Sequence, residues 1–427
     1  MDKLSCFKQT ALISALMLEF AQVSQAATIH VDGTNCTLHD AIVSANSNAA
    51  TGGCVAGSGA DELQLPVSGF FELQSPLAYI TDHLTIHGNG STITRADTAP
   101  AFSILEGGFI DLTLNETTIS GGQELVSSSA NGGGGISLVY GTLTLNDSLI
   151  TDNSGGGVYL YSSQSNSVIN HSVIADNSGL ATASRLSAGL TIIGGNLTIN
   201  RSTIANNINQ GTASGGGLYV RNSYFYGADI QINNSTISGN SSLAGGGGLH
   251  IRETYYYLVP TSTVVTLSQS TIVGNSTSQD GGGIFNDSDA HTVISQSLIS
   301  GNSSGNLVNE ILNSGGTVTT NNFNLIGLNG QAGVVGVNIG ATDAIPVEAN
   351  LSGIIDIELK NNGGLTPTHA LNQDGSAIDF IPEGNCQSNA DQTGKPRPLD
   401  GNGDGVLACD VGAFEYSDVI FEDGFEG

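Results

Sequence analysis

Apolar and polar residues alternate with period two in short runs along most of this chain, as in Leu143-Thr144-Leu145, Leu197-Thr198-Ile199 and Val265-Thr266-Leu267. That period is the mark of β-strand, and no long apolar stripe of period 3.6 occurs between residues 60 and 350. The runs also repeat. A hydroxyl residue, any residue and Ile recur seven times, as Thr117/Ile119, Ser148/Ile150, Ser172/Ile174, Ser202/Ile204, Ser235/Ile237, Ser270/Ile272 and Ser297/Ile299. Six copies are followed three residues later by Asn153, Asn177, Asn207, Asn240, Asn275 or Asn302. Between copies stand glycine runs that lead into an apolar residue, such as Gly155–Gly157 before Val158 and Gly245–Gly248 before Leu249. The Ile-to-Ile spacings are 31, 24, 30, 33, 35 and 27, so the strands are fixed while corner loops absorb the difference. Self-similarity of this kind predicts a solenoid whose units bury their apolar faces only by stacking.

An Ile, Val, Thr, Ser and Gly frame with β periodicity fits a parallel β-helix, in which Ile stacks on Ile, Ser on Ser, and Asn on Asn, with amides bonded up the stack at a turn. Here the chain resembles right-handed parallel β-helix repeat proteins, over roughly residues 61–340. The resemblance implies an all-β, single-stranded solenoid and says almost nothing about chemistry. Nine or ten coils at about 4.8 Å each would make a rod of roughly 45 Å.

Both ends of such a rod expose apolar edges that need covers. Leu38, Ile42 and Ala45 fall on one helical face, with Thr37 placed as N-cap and Asp40 three residues on, so a short capping helix is expected there. The segment Cys36-Thr37-Leu38-His39-Asp40-Ala41 resembles the N-terminal domain named for a Cys-Ser-Leu-Arg-Glu-Ala signature. Beyond the solenoid come Asn362-Gly363-Gly364-Leu365-Thr366-Pro367, Asp391-Gln392-Thr393-Gly394-Lys395-Pro396-Arg397-Pro398 and Cys409-Asp410-Val411-Gly412-Ala413-Phe414-Glu415. Their order is similar to the choice-of-anchor family that closes many bacterial surface β-helix proteins. The organisation expected is a signal peptide (1–26), an N-terminal cap (27–60), the β-helix (61–345), a C-terminal module (346–416) and a tail (417–427).

Compartment follows from the termini and the cysteines. Lys3 and Lys8 precede the apolar stretch Ala11–Leu18, and Ser24-Gln25-Ala26 offers a cleavage site, so export to the surface or medium is expected. The remaining cysteines form two local pairs, Cys36 with Cys54 and Cys386 with Cys409, read as disulfides. The chain without residues 1–26 keeps 8 basic against 36 acidic residues, a net charge of −28. Such a surface repels nucleic acid and anionic lipid and attracts divalent cations. No later run reaches the roughly 20 apolar residues of a membrane span. A monomer is expected.

Two places could carry ligand chemistry. Asp400, Asn402 and Asp404 alternate before Gly405, with the Val406 carbonyl seventh, as in a calcium loop; Asp410 could stand in for the missing twelfth-position carboxylate. A polar turn without an ion explains the same residues, and the ion, if bound, would be structural. The second place is a stripe on the outer face. If the residue after each glycine run points inward, Tyr159, Tyr219, His250 and Phe285 form an outward column, beside Tyr161, Arg221, Arg252 and Asp287. Arg221 and Arg252 on adjacent coils would repel unless an anion sat between them, which suggests an acidic glycan. Loops bearing Tyr224-Phe225-Tyr226 and Tyr255-Tyr256-Tyr257 flank the stripe. The readier account of the stripe is that Tyr and Phe simply favour exposed strands. The adjacent Asp-Asp, Gly-His-Gly and Arg-Ile-Lys elements of polygalacturonases are missing, and no pectate-lyase pattern is found. The leading expectation is an exported structural or adhesive module without catalysis. The alternative is a lyase or hydrolase of an anionic polysaccharide, with an extracellular polysaccharide or host surface component as the partner class.

Overall fold

The computed structural model describes residues 26–124, 132–161, 166–179, 187–211, 215–254, 261–305 and 307–417. The expected signal peptide up to residue 25, the Tyr255–Tyr257 triplet and the tail beyond residue 417 lie outside these. The chain winds into a parallel β-helix. One sheet of nineteen strands carries two strand columns side by side, a second has nine strands, and a third, of short strands, has six. The first column has eleven levels, from Thr28–His30 to Thr317–Thr319, giving a rod of roughly 50 Å.

The repeat maps onto the register position by position. Ile93, Ile119, Ile150, Ile174, Ile204, Ile237, Ile272, Ile299 and Ile326 pair in one unbroken column. All are buried, and they belong to one continuous core. The hydroxyl mark makes a second column. Each Ser Oγ accepts the backbone N–H of its counterpart one coil earlier, from Thr117 to Ser297, and Asn324 then takes the serine place. The asparagine mark makes a third. Asn153, Asn177, Asn207, Asn240, Asn275 and Asn302 pass a side-chain hydrogen bond up the stack at 2.9–3.0 Å. Each asparagine also receives the backbone N–H of its neighbour, so a buried turn is fully satisfied.

The glycine mark and the asparagine mark are one feature. A Cβ on Gly157 would lie 2.9 Å from Asn177 Nδ2 and 2.9 Å from the Gly189 carbonyl oxygen, and Gly135, Gly189, Gly217, Gly248 and Gly283 meet the same two groups. Only a residue without a side chain lets the next coil pass this close to the ladder.

The N-terminal end is covered as expected. The helix Leu38–Ser47 buries Leu38, Ala41, Ile42 and Ala45 against the first coils. Thr37 Oγ1 accepts the Asp40 N–H and donates to the Asp40 carboxylate, and Cys36–Cys54 ties the helix to the loop behind it. At the other end a partial coil closes the rod, through Val334 and Val335 paired on Ile311 and Leu312 and through Val337 and Ile339 on the core.

The C-terminal module does something the sequence did not suggest. It lies along the flank of the solenoid. Buried Gln392 donates to the Ser202 carbonyl and to Thr203, and accepts from Thr236. His369 meets Ser238, the Ala413 N–H bonds Thr271, and Gln387 reaches Ser295 and Gln296. Val273, Leu298 and Leu325 turn outward to share a second core with Ile354, Ile355, Leu371, Ile381 and Phe414. Burial along the strands records the docking: Leu149–Thr151 buries only its isoleucine, whereas Thr203–Ala205 and Thr236–Ser238 bury every residue. Cys386–Cys409 closes the module on itself.

Candidate ligand-binding face

The expected stripe has the expected register and the wrong environment. Ser137, Tyr159, Thr191, Tyr219, His250 and Phe285 pair coil to coil, as do Val139, Tyr161, Ile193, Arg221, Arg252 and Asp287 beside them. The first column is not an open surface, however. Tyr159 is 1% exposed and His250 3%, and Tyr219 is buried too. The cause is the chain leading into each strand, which arches back over the column. A Cβ on Gly246 would sit 2.6 Å from His250 Cβ, one on Gly281 2.6 Å from Phe285 Cβ, and one on Gly215 3.1 Å from Tyr219 Cβ.

Inside this cover His250 stacks on Phe285 at 4.8 Å and against Tyr219 at 5.1 Å. Burial pushes its ring below the usual histidine range, while Asp287 pulls the other way. The geometry sides with burial, because His250 Nε2 lies 3.7 Å from Asp287, too far for a hydrogen bond. Asp287 is lowered in turn, with His250 the first cause; the same 3.7 Å gap discounts that contribution and leaves Ser314, donating at 3.1 Å, and the Arg252 charge to hold the carboxyl below its ordinary range. Arg252 Nε stands 3.5 Å from Asp287. The protein itself therefore supplies a counter-charge to Arg252, whereas Arg221 Nε is buried with no hydrogen-bond partner among the described residues.

The loop read as a calcium site is braced by its own side chains. Asp400 accepts the N–H groups of Gly403, Asp404 and Gly405, Asn402 accepts that of Asp404, and Asp404 accepts that of Val406. The side chain meant to complete a cation site points elsewhere. Asp410 is buried, accepts from the Asp379 and Tyr416 N–H groups, and faces the Arg397–Glu415 ion pair. Among the described residues no three His, Cys, Asp or Glu side chains are grouped to hold a metal ion.

What the sequence reading missed lies one residue past the second sheet. Phe109 and Tyr140 follow the paired strand ends Gly108 and Val139. Phe109 is 77% exposed and Tyr140 about two-fifths exposed. Their rings stack at 5.1 Å, and Tyr161 meets Tyr140 edge-on at 5.2 Å. Both sit in left-handed backbone, with φ of 59° and 58°, where a bulky side chain is a true outlier. Gly194 fills the same corner on a later coil, with φ of 70°. The signal in the sequence was an aromatic where the turn asks for glycine. A second aromatic place is a groove of about 620 Å³ along which Phe225 and Tyr226 face Asn196, Asp229 and Val264.

None of the curated proteins and none of the solved structures compared with the chain matches it. The family described as right-handed β-helix region matches residues 79–264, the stretch that carries the first five isoleucine repeats and both aromatic places, and with the parallel register it identifies this protein as a right-handed parallel β-helix.

Proposed function

We propose that this protein is an exported, surface-associated β-helix whose work is structural and adhesive, without catalysis, and that its ligand is a neutral saccharide gripped at the exposed aromatic corner. The observation that carries the reading is Phe109 stacked on Tyr140 in left-handed backbone. Strain of this kind costs about 1–3 kcal/mol per residue and persists where a side chain has a task. An apolar ring pair standing in solvent offers a flat face to the C–H side of a sugar ring, and Tyr79, half exposed beside Gly108, widens it. Glu106 and Asp111 lie at the same corner, and the whole chain carries −28, so a neutral saccharide suits the place better than an acidic one.

Two further features support export. Both cysteine pairs are bridged, with Cα–Cα distances of 4.6 Å and 6.0 Å, as in proteins of oxidising compartments. The N-terminal helix and the docked module carry the residues that resemble the Cys-Ser-Leu-Arg-Glu-Ala and choice-of-anchor domains of surface proteins. Screening the purified chain against neutral and uronate oligosaccharides tests the reading. Binding of a neutral glycan that falls about tenfold or more in Phe109→Ala or Tyr140→Ala supports it. Equal binding by the variants, or new reducing ends or unsaturated products, would reject it.

A further inference from the structure

Near the N-terminal end of the rod, the strand Phe70–Leu73 leaves one of its edges open among the described residues. Among the described residues this strand pairs only with the strand above it, in parallel register from Phe70 on Thr92 to Leu73 on Arg95. The Thr92 N–H goes to the Gly69 carbonyl and the Ala96 N–H to that of Leu73. Residues of a parallel strand face its two neighbours alternately. The N–H and C=O groups of Phe70 and Glu72 therefore face away from the solenoid, and none of them has a backbone partner among the described residues.

That edge opens on a groove of about 550 Å³ between the Asp32–His39 loop and residues 66–77. Its volume falls within the range of ligand pockets, roughly 300–1,000 Å³. Pro66, Phe71, Leu73 and Leu77 give it an apolar floor, and Phe70 is 69% exposed above it. The charged groups lining it are the Asp32 and Glu72 carboxylates, and no lysine or arginine lines it. Asp32 accepts the N–H groups of Thr34, Asn35 and Cys36, which keep it ionised.

We propose that this edge takes an extended, basic polypeptide segment as an added strand. Its main chain would bond the free groups of Phe70 and Glu72, apolar side chains on one face would enter the groove, and basic side chains would meet Asp32 and Glu72. Backbone pairing supplies affinity in such complexes, and the groove supplies selectivity. Exposed edges of this kind are normally blunted by charge, proline or a covering loop. Here the single acidic residue on the edge, Glu72, selects for opposite charge instead of repelling every partner.

The test uses the full chain with the blocked peptide Lys-Val-Lys-Val-Lys as probe. It should bind saturably and slow amide exchange at Phe70 and Glu72. The acidic counterpart Glu-Val-Glu-Val-Glu should bind about tenfold or more weakly, as should the basic peptide N-methylated at alternate residues. Phe70→Pro separates pairing from folding. Its N–H faces outward, so proline there removes no ladder bond, and the variant should melt like the parent yet lose the peptide. Glu72→Lys should reverse the charge preference. Undiminished binding by Phe70→Pro or by the N-methylated peptide, or no binding of the basic peptide at about 1 mM, overturns the proposal.

Discussion

Asn302 donates its side-chain amide to Glu310 Oε2 at 2.6 Å and its backbone N–H to the same oxygen at 3.1 Å, so the asparagine ladder ends on a buried carboxyl group. Glu310 Oε1 has no hydrogen-bond partner among the described residues, and burial pushes the group up from its ordinary 4.5 to about 8. The folded chain thus holds a proton that the unfolded chain releases above its own value near 4.5. Stability from this residue is complete below pH 4.5 and is lost as pH rises toward 8. Glu124, also raised to about 8 by burial, and Glu415, raised chiefly by burial, act in the same direction. Thermal melts should show a chain less stable at alkaline than at mildly acidic pH. Glu310→Gln, which keeps an acceptor for Asn302 without the charge, should flatten that slope and raise the alkaline melting temperature by about 2 °C or more. An unchanged slope would remove Glu310 from the account.

Asn240 sits mid-ladder. It accepts from Asn207 and donates to Asn275 and to the Ile204 carbonyl. Asn240→Ala strands buried donors and acceptors on both neighbouring coils, at about 1–3 kcal/mol for each group left unpaired. A loss of roughly 3–5 kcal/mol in denaturant unfolding is expected.

Gly157→Ala tests the coupling of glycine to asparagine. Its methyl would press on the Asn177 amide and the Gly189 carbonyl, both of which are tied by hydrogen bonds, to Asn207 and to the Val158 N–H. About 1–3 kcal/mol of destabilisation follows. In the double variant with Asn177→Ala the glycine penalty should shrink, and strict additivity in the cycle would show the two marks to be independent.

Gln392→Ala addresses the flank. Five hydrogen bonds join this side chain to Ser202, Thr203, Thr236, Thr366 and Pro367. Removing them should speed proteolysis within residues 346–416 while the solenoid stays protected; equal protection of both would contradict the docking described.

Periodicity explains what could be read in advance. The isoleucine, serine and asparagine columns recur because each coil solves the same packing problem, and repetition makes the solution visible in one dimension. The capping helix was legible for another reason, since Thr37 and Asp40 satisfy each other locally. Contacts that occur once leave no such trace. Nothing periodic announces that Gln392 meets Thr203, or that Phe109 and Tyr140 share a strained corner. The buried aromatic column shows a subtler limit. Its register was correct, but whether an outward side chain meets water depends on the path of the preceding glycine run, which alternation along a strand does not encode.

The docked module acts as a gauge on the number of coils. Its hydrogen bonds to the solenoid run from Arg201 to Gln296 coil by coil, so a coil gained or lost within that stretch would throw Thr366, Gln392 and Gln387 out of step with their partners. Among the described residues, the coils between residues 111 and 200 carry no such strap. Lineages that lengthen or shorten this rod by recombination should do so there, and a duplicated coil grafted into that stretch should leave the module seated.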